Sequence, residues 1–98
     1  MPYVIETFDK VGSGDIRAER RGDHLSYLEE HKSILLLCGA KLNDDGSDKG
    51  GGFYVVEVNS RQEADSFIRG DPFYKAGLFD KITIVRWRKA YVKSECYL

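Results

Sequence analysis

The stretch FYVVEVNSRQEADSFIRG, residues 53–70, decides the fold of this chain. Its first part, residues 53–58, is rich in aromatic and β-branched residues and predicts a strand. Ser60 and Glu63 then form a capping box, in which the serine caps a helix and the glutamate reaches back. The helix ends at Gly70. Its apolar side consists of Ala64, Phe67 and Ile68.

The same signals, read outward from this stretch, predict the remaining elements. They are strands at 3–8, 34–42 and 81–88 and a helix from Asp15, as N-cap, to about His31. The leucines at 35–37 indicate that the second strand is covered on both faces. Residues 43–52 are polar, carry four glycines and predict a loop. Asp71 precedes Pro72 and is expected to cap a further short helix.

The order β-α-β-β-α-β matches a ferredoxin-like split βαβ arrangement, so we predict an α+β fold of the dimeric α+β barrel type. We expect one domain over residues 1–98, with a core at about 2–90 and a tail at 91–98. The helices can cover only one face of such a sheet. Because both faces of the third and fourth strands carry large apolar residues, we predict a homodimer packed through the uncovered sheet faces.

Composition bears on several classes of partner. The chain has 98 residues, with 15 basic and 16 acidic side chains and a net charge of −1, which gives no electrostatic reason to expect nucleic acid. The longest apolar run, residues 34–38, is too short to cross a membrane, and no signal peptide is visible.

Cys38 and Cys96 do not form a CxxC pair, and we expect reduced thiols in a cytoplasmic protein. The chain lacks four suitably spaced zinc ligands, so we expect no metal or cofactor.

Two glycine-based motifs point to other ligands and fit poorly. Residues 49–56, KGGGFYVV, partly match an RNA-recognition signature on the third strand, but the aromatic expected at Gly51 is missing. Residues 46–52 lack the spacing of a phosphate-binding loop and run into a strand rather than a helix.

His24 and Asp71 are the candidate catalytic pair. His24 lies at the margin of the apolar stripe of the first helix, where a side chain can enter a cleft between helix and sheet. An imidazole there can give or take a proton near neutral pH. Asp71 is suited to N-capping, and a capping carboxylate can also hold an imidazole in one tautomer. For both residues a purely structural role is the alternative.

Arg21 and Tyr74 are the candidate substrate contacts. Arg21 precedes His24 by one helical turn, and its guanidinium could bind a carboxylate in a bidentate manner. Tyr74 follows the Asp-Pro turn. Two functions remain open. One is a small enzyme that uses acid–base chemistry; the other is a non-catalytic small-molecule-binding or accessory domain lined by aromatic residues.

The chain resembles the YCII-related (YciI-like) domain family. The resemblance rests on an arginine three residues before a helix histidine, a glycine after Cys38, a glycine-rich entry to the third strand, and Asp-Pro-aromatic followed by Ala-Gly. It covers residues 2 to 90. Ala40 and Arg86 stand where the family often has proline.

The resemblance implies a ferredoxin-like fold, a dimer, and an active site centred on a histidine and an aspartate, here His24 and Asp71. Similar proteins include a dechlorinating enzyme of aromatic degradation. We therefore expect a cofactor-independent elimination, isomerisation or hydrolysis of a small cyclic or aromatic metabolite.

Overall fold

A computed structural model describes all residues from 1 to 98. The main elements are β1 (Pro2–Asp9), α1 (Gly14–Glu30), β2 (Leu35–Leu42), β3 (Asp48–Glu57), α2 (Arg61–Gly70), α3 (Pro72–Lys75) and β4 (Phe79–Arg86). A single 3₁₀ turn, Lys32–Ile34, leads into β2. A terminal hairpin follows, with β5 at Tyr91–Val92 and β6 at Glu95–Cys96.

The sheet has four strands in the order β2-β3-β1-β4, and all neighbours are antiparallel. The first strand therefore lies in the interior of the sheet, between the third and the fourth. This arrangement follows from two split βαβ units, so the predicted ferredoxin-like α+β fold is confirmed. No helix is both long enough and apolar enough to span a bilayer.

The core lies between the sheet and the helices. Since side chains alternate along a strand, the core-cluster residues of β1 and β3 lie on one face of the sheet. The three residues predicted as the apolar side of α2 are all buried, which confirms that helix face. The core cluster consists of Tyr3, Ile5, Tyr54, Val56, Val58, Ala64, Phe67 and Ile68.

The opposite face of the sheet carries none of the main helices, although Val55 in its middle is 3% exposed. Residues directly opposite each other in antiparallel strands share a face. The register therefore aligns Leu37, Val55, Val4 and Val85 across the four strands, and we call them the apolar row. Leu37 is 50% exposed and Val85 57% exposed. The expectation that both faces of β2 are covered is wrong for the single chain, because the helices lie on one side only.

Several predicted boundaries were also wrong. The first helix is preceded by Ser13 as N-cap, and Asp15 lies within its first turn. The second half of the segment predicted as a loop is strand: β3 begins at Asp48 and includes Gly51, whose φ of 142° suits glycine. The last strand begins two residues earlier than predicted, at Phe79, and ends at Arg86.

The capping box that opens α2 forms with a small change. The Ser60 hydroxyl accepts a hydrogen bond from the Glu63 N–H at 3.1 Å. The Glu63 carboxylate accepts from the Asn59 N–H at 3.0 Å, one residue before the N-cap. Both bonds satisfy N–H groups that a helix start would leave free. These bonds fix the N-terminus of α2, which follows β3 in the chain.

Candidate functional site

His24 and Asp71 meet although 47 residues separate them in the chain. The Nδ1 atom of His24 lies 2.9 Å from Oδ1 and 2.8 Å from Oδ2 of Asp71. The Asp71 side chain is completely buried, and that of His24 is 12% exposed. These are hydrogen-bond distances, so the imidazole is held by a carboxylate that solvent does not reach.

Asp71 is positioned by the junction of two helices. It follows the last residue of α2, and its N–H donates to the Ile68 carbonyl at 3.2 Å. It is also the N-cap of α3, where Oδ1 accepts from the Phe73 N–H at 2.8 Å. The Pro72 ring suits the first position of that helix. The predicted cap is therefore confirmed, and the capping carboxylate is the one that meets the histidine.

The carboxylate has a third donor in the core. The Tyr54 hydroxyl donates to Oδ2 of Asp71 at 3.3 Å. Burial, and then the negative charge of Asp71, raise the pKa of the Tyr54 hydroxyl, so it keeps its proton. The Asp71 carboxylate thus faces three partners, the Phe73 N–H, the Tyr54 hydroxyl and Nδ1 of His24. Carboxylate oxygens accept hydrogen bonds, so this geometry places a ring proton on Nδ1 of His24 and leaves Nε2 as the free nitrogen.

An aromatic ring fixes the plane of the imidazole. His24 stacks on Phe73 with ring centroids 4.1 Å apart and planes inclined by 15°. The guanidinium carbon of Arg17 lies 4.7 Å from the Phe73 centroid, within range of a cation–π contact. Asp9 holds that guanidinium with two hydrogen bonds, at 2.7 Å from Nε and 3.0 Å from Nη2. The Phe73 ring therefore contacts both His24 and Arg17.

A cavity of about 260 Å³ opens in front of His24, between α1 and the sheet. Gly39 and Gly52 form part of its wall on the sheet side. The Gly52 N–H donates a hydrogen bond to the buried Thr7 hydroxyl at 2.8 Å. No residue of α1 is fully buried. The lining residues are Arg17, Arg21, His24, Leu25, Leu28, Cys38, Gly39, Ala40, Gly52, Tyr54 and Phe73.

The two predicted substrate contacts lie in different places. Arg21 lines the cavity with His24. Tyr74 does not line it; its hydroxyl accepts a hydrogen bond from Arg69 at 3.0 Å, at a separate hollow that also includes Asp65. Ala40, one of the two positions that differ from the family pattern, lines the cavity. Arg86, the other, lines a larger hollow of about 550 Å³ at the N-terminus, which contains neither member of the pair.

Most lining residues were not among the predicted site residues, and three of these, Arg17, Cys38 and Tyr54, carry titratable groups. Arg17 could have been found from the sequence, since it lies seven residues before His24 and shares its helix face. Tyr54 and Cys38 reach the site through strand pairing, as direct neighbours on β3 and β2. Partial burial, and then the charge of Asp71, raise the pKa of the Cys38 thiol. No cluster of three or more histidine, cysteine or acidic side chains is arranged to hold a metal ion.

The family model of the YCII-related domain matches residues 1–88. The chain belongs to the YCII-related domain family. Among curated YCII-related relatives, Protein YciI of Escherichia coli O6:H1 (strain CFT073) and that of Shigella flexneri are each 28% identical over 98 residues. Each alignment covers 93% of this chain and all of the relative.

A solved structure resembles this YCII-related chain more closely in sequence. It is the 5-chloro-2-hydroxyhydroquinone dehydrochlorinase TftG from Burkholderia phenoliruptrix AC1100, in complex with 2,5-dihydroxybenzoquinone. The match has 36% sequence identity and a TM-score of 0.82, and it covers 90% of this chain and 94% of TftG. The likeness extends over almost all of the YCII-related domain.

Proposed function

We propose that this chain is a small acid–base enzyme in which His24 moves the reacting proton and Asp71 orients the imidazole. The reaction class that we propose is elimination from a small hydroxylated ring, without a cofactor. The observation that carries the proposal is the hydrogen bond of 2.8 Å from the buried Asp71 carboxylate to Nδ1 of a histidine that lines a cavity. The same arrangement of carboxylate, imidazole and free Nε2 supports proton transfer in other enzymes.

The shape of the cavity supports a planar, single-ring substrate. Its volume of about 260 Å³ is small for a ligand pocket. Leu25, Leu28, Tyr54 and Phe73 give it apolar walls. The stacked pair of His24 and Phe73 is rigid, because the Phe73 ring is 1% exposed. A flat ring entering this space would lie close to Nε2 of His24, and Arg21 would contact its polar substituents.

The similarity to TftG favours elimination over isomerisation and hydrolysis. That protein is a dehydrochlorinase, and its structure holds a dihydroxybenzoquinone. In the proposed reaction, Nε2 of His24 accepts the proton of a ring hydroxyl and returns a proton to the ring carbon that bears the leaving group. Loss of a second hydroxyl proton, together with departure of chloride with its bonding electrons, gives the quinone. The net change is loss of HCl, with no external oxidant.

A chloride-release assay tests the proposal. The probe is 5-chloro-2-hydroxyhydroquinone, and the readouts are free chloride and the quinone absorbance. His24→Gln should lower the turnover number by roughly 10²- to 10⁴-fold, since glutamine cannot exchange protons. His31→Gln is the matched control, because His31 is not a cavity residue. Unchanged turnover in His24→Gln would remove the histidine from the mechanism, and absence of chloride release by the unaltered protein would overturn the assignment to dehydrochlorination.

The alternative function is ligand binding without conversion, and the apolar walls of the cavity favour it. In that case, 2,5-dihydroxybenzoquinone would bind, no chloride would be released from the chlorinated probe, and His24→Gln would change affinity only modestly. Isothermal titration beside the chloride assay separates the two functions, because only the enzyme shows turnover that depends on His24.

We also propose a homodimer that buries the uncovered sheet face. The apolar row crosses all four strands, and its members on the two edge strands, Leu37 and Val85, are half-exposed or more, whereas Val55 between them is 3% exposed. Exposed rows of this kind mark association surfaces. Sedimentation equilibrium should give twice the chain mass of 11.2 kDa. Val85→Glu should yield monomers, whereas Val11→Glu, in a fully exposed turn, should not. A monomeric unaltered protein would contradict the proposal.

For the cellular site we propose a reducing compartment such as the cytoplasm. The supporting observation is that Cys38 and Cys96 are both free. Such thiols persist where glutathione keeps them reduced. Fractionation of cells that make the protein, followed by thiol labelling, tests the assignment; a disulfide-linked species would contradict it.

A further inference from the structure

We infer that the cavity selects a singly charged anion, whose ionised substituent binds Arg21 while the ring lies against His24. This inference deepens the proposed function and rests on it for the position of the reacting proton. It begins with the charges that face the cavity. The charged or titratable side chains of its lining are those of Arg17, Arg21, His24, Cys38 and Tyr54.

No acidic side chain lines the cavity. Asp71 lies behind His24 and is completely buried, so a ligand does not meet its carboxylate directly. The raised pKa values of the Cys38 thiol and the Tyr54 hydroxyl keep both groups neutral. The ligand-facing surface is therefore cationic although the net charge of the whole chain is −1. A cleft lined by one sign of charge concentrates ligands of the opposite sign.

The two arginines differ in what they can offer. Arg17 already donates two hydrogen bonds to Asp9, whose side chain is 7% exposed, so most of its charge is compensated inside the protein. Arg21 makes no hydrogen bond or ion pair to another side chain. The single guanidinium of Arg21, which has no internal partner, favours a ligand that carries one negative charge. Its fork of N–H donors matches a carboxylate or the ionised oxygen pair of a hydroxyquinone.

Arg21 and His24 are placed so that one small molecule can contact both. Arg21 precedes His24 by three residues, so the two side chains are neighbours on the surface of α1. Both line the cavity, whose volume of about 260 Å³ suits a small ligand. A ring whose ionised substituent binds Arg21 can therefore present a hydroxyl to Nε2 of His24.

Benzoate and benzamide form a matched pair of probes, equal in shape and different in charge. We expect benzoate to bind about 10- to 100-fold more tightly than benzamide at low ionic strength, as a charge-assisted hydrogen bond would give. Titrations followed by amide NMR shifts should place benzoate against Arg21, His24 and Gly52. Added salt should weaken the binding of benzoate and leave the binding of benzamide unchanged.

Comparison of Arg21→Gln with Arg20→Gln distinguishes binding at the cavity from attraction by the overall charge of α1. Both remove one positive charge from exposed positions of α1, but Arg20 does not line the cavity. Arg21→Gln should abolish the preference for benzoate, and Arg20→Gln should retain it. Equal binding of the two probes by the unaltered protein, equal losses in both variants, or no benzoate binding at millimolar concentration would overturn the inference.

These outcomes are distinct from those of the proposed reaction. If chloride release depends on His24 and the probes bind equally, the anion preference is wrong and the acid–base function stands. If benzoate is preferred through Arg21 and His24→Gln leaves turnover unchanged, the anion site stands and the acid–base role of His24 is wrong.

Discussion

The imidazole of His24 and the ring of Phe73 are stacked, with centroids 4.1 Å apart and planes inclined by 15°. The N–H of the same phenylalanine donates to Asp71, the carboxylate that holds the imidazole. One residue thus supports both members of the pair, through its ring and through its backbone. This contact couples the packing of α3 to the geometry of the proposed site.

Phe73→Leu should loosen the imidazole and destabilise the fold. The side chain is 1% exposed, so a smaller residue leaves a void and removes the stacked ring. We expect the free energy of unfolding to fall by about 1–3 kcal/mol, measured by urea denaturation. Tyr91→Leu, at an exposed position of the terminal hairpin, should change it by less than about 0.5 kcal/mol. Equal effects of the two changes would contradict this account of the packing.

Asp71→Asn should reverse the tautomer of His24 while keeping the cap. The amide oxygen remains opposite the Phe73 N–H, because that donor needs an acceptor. The NH₂ group then takes the place of Oδ2, which faces Nδ1 of His24 at 2.8 Å. An amide donor at Nδ1 moves the ring proton to Nε2, where it blocks the proposed base.

The expected result of Asp71→Asn is a fall in turnover of roughly 10²- to 10⁴-fold with little loss of stability. The ¹⁵N shifts of the His24 ring report the tautomer directly. Asp65→Asn is the control, since Asp65 pairs with Arg69 on the surface. A ring proton that stays on Nδ1 in Asp71→Asn would contradict the proposed orientation.

Gly51→Ala should be strongly destabilising. The residue has a φ of 142°, and an added Cβ would lie 2.1 Å from the Thr7 carbonyl oxygen. Backbone cannot yield as a flexible side chain can, so we expect a loss of at least about 1–3 kcal/mol in the free energy of unfolding. Gly22→Ala provides the contrast: its added Cβ meets nothing within 4 Å. In the middle of α1 it should stabilise the fold by about 0.5–1 kcal/mol. Thermal denaturation of both variants checks the difference in sign.

Cys38 should react slowly with alkylating agents at neutral pH. Burial and the charge of Asp71 raise the pKa of its thiol, so less thiolate is present at a given pH than for an ordinary cysteine. Iodoacetamide modification should accelerate as the pH rises. Asp71→Asn removes the charge and should accelerate it at constant pH. The measurement is made in a Cys96→Ser variant, so that Cys38 is the one thiol that iodoacetamide can modify. A rate independent of pH between 7 and 9 would contradict the assignment.

The sequence was most informative where a local rule decided the structure. Ser60 and Glu63 fixed the start of α2, and the pair Asp71-Pro72 fixed the start of α3. The alternation of side chains along β3 indicated that both faces of that strand carry large apolar residues. Each of these depends on neighbours within a few residues, so a single chain suffices to predict it.

The remaining features depend on contacts between distant parts of the chain. The strand at residues 48–52 escaped prediction because its glycines suggest a loop, whereas the close approach of Gly51 to Thr7 requires residues without side chains. The bond from Tyr54 to Asp71 depends on how α2 packs on the sheet. Tyr74, which follows the Asp-Pro turn, was predicted as a substrate contact, but successive helical residues point in different directions, and the Tyr74 hydroxyl binds Arg69.

The cavity under α1 has a consequence for how the domain fluctuates. The helix has no fully buried residue, whereas β1 and β3 supply much of the core, so we expect the opening of α1 to require less free energy than the opening of either strand. A molecule that occupies the hollow supplies the missing contacts and stabilises only the closed helix. Hydrogen exchange of the α1 amides should therefore slow on saturation with ligand, which makes the helix itself a reporter of occupancy for screening compounds.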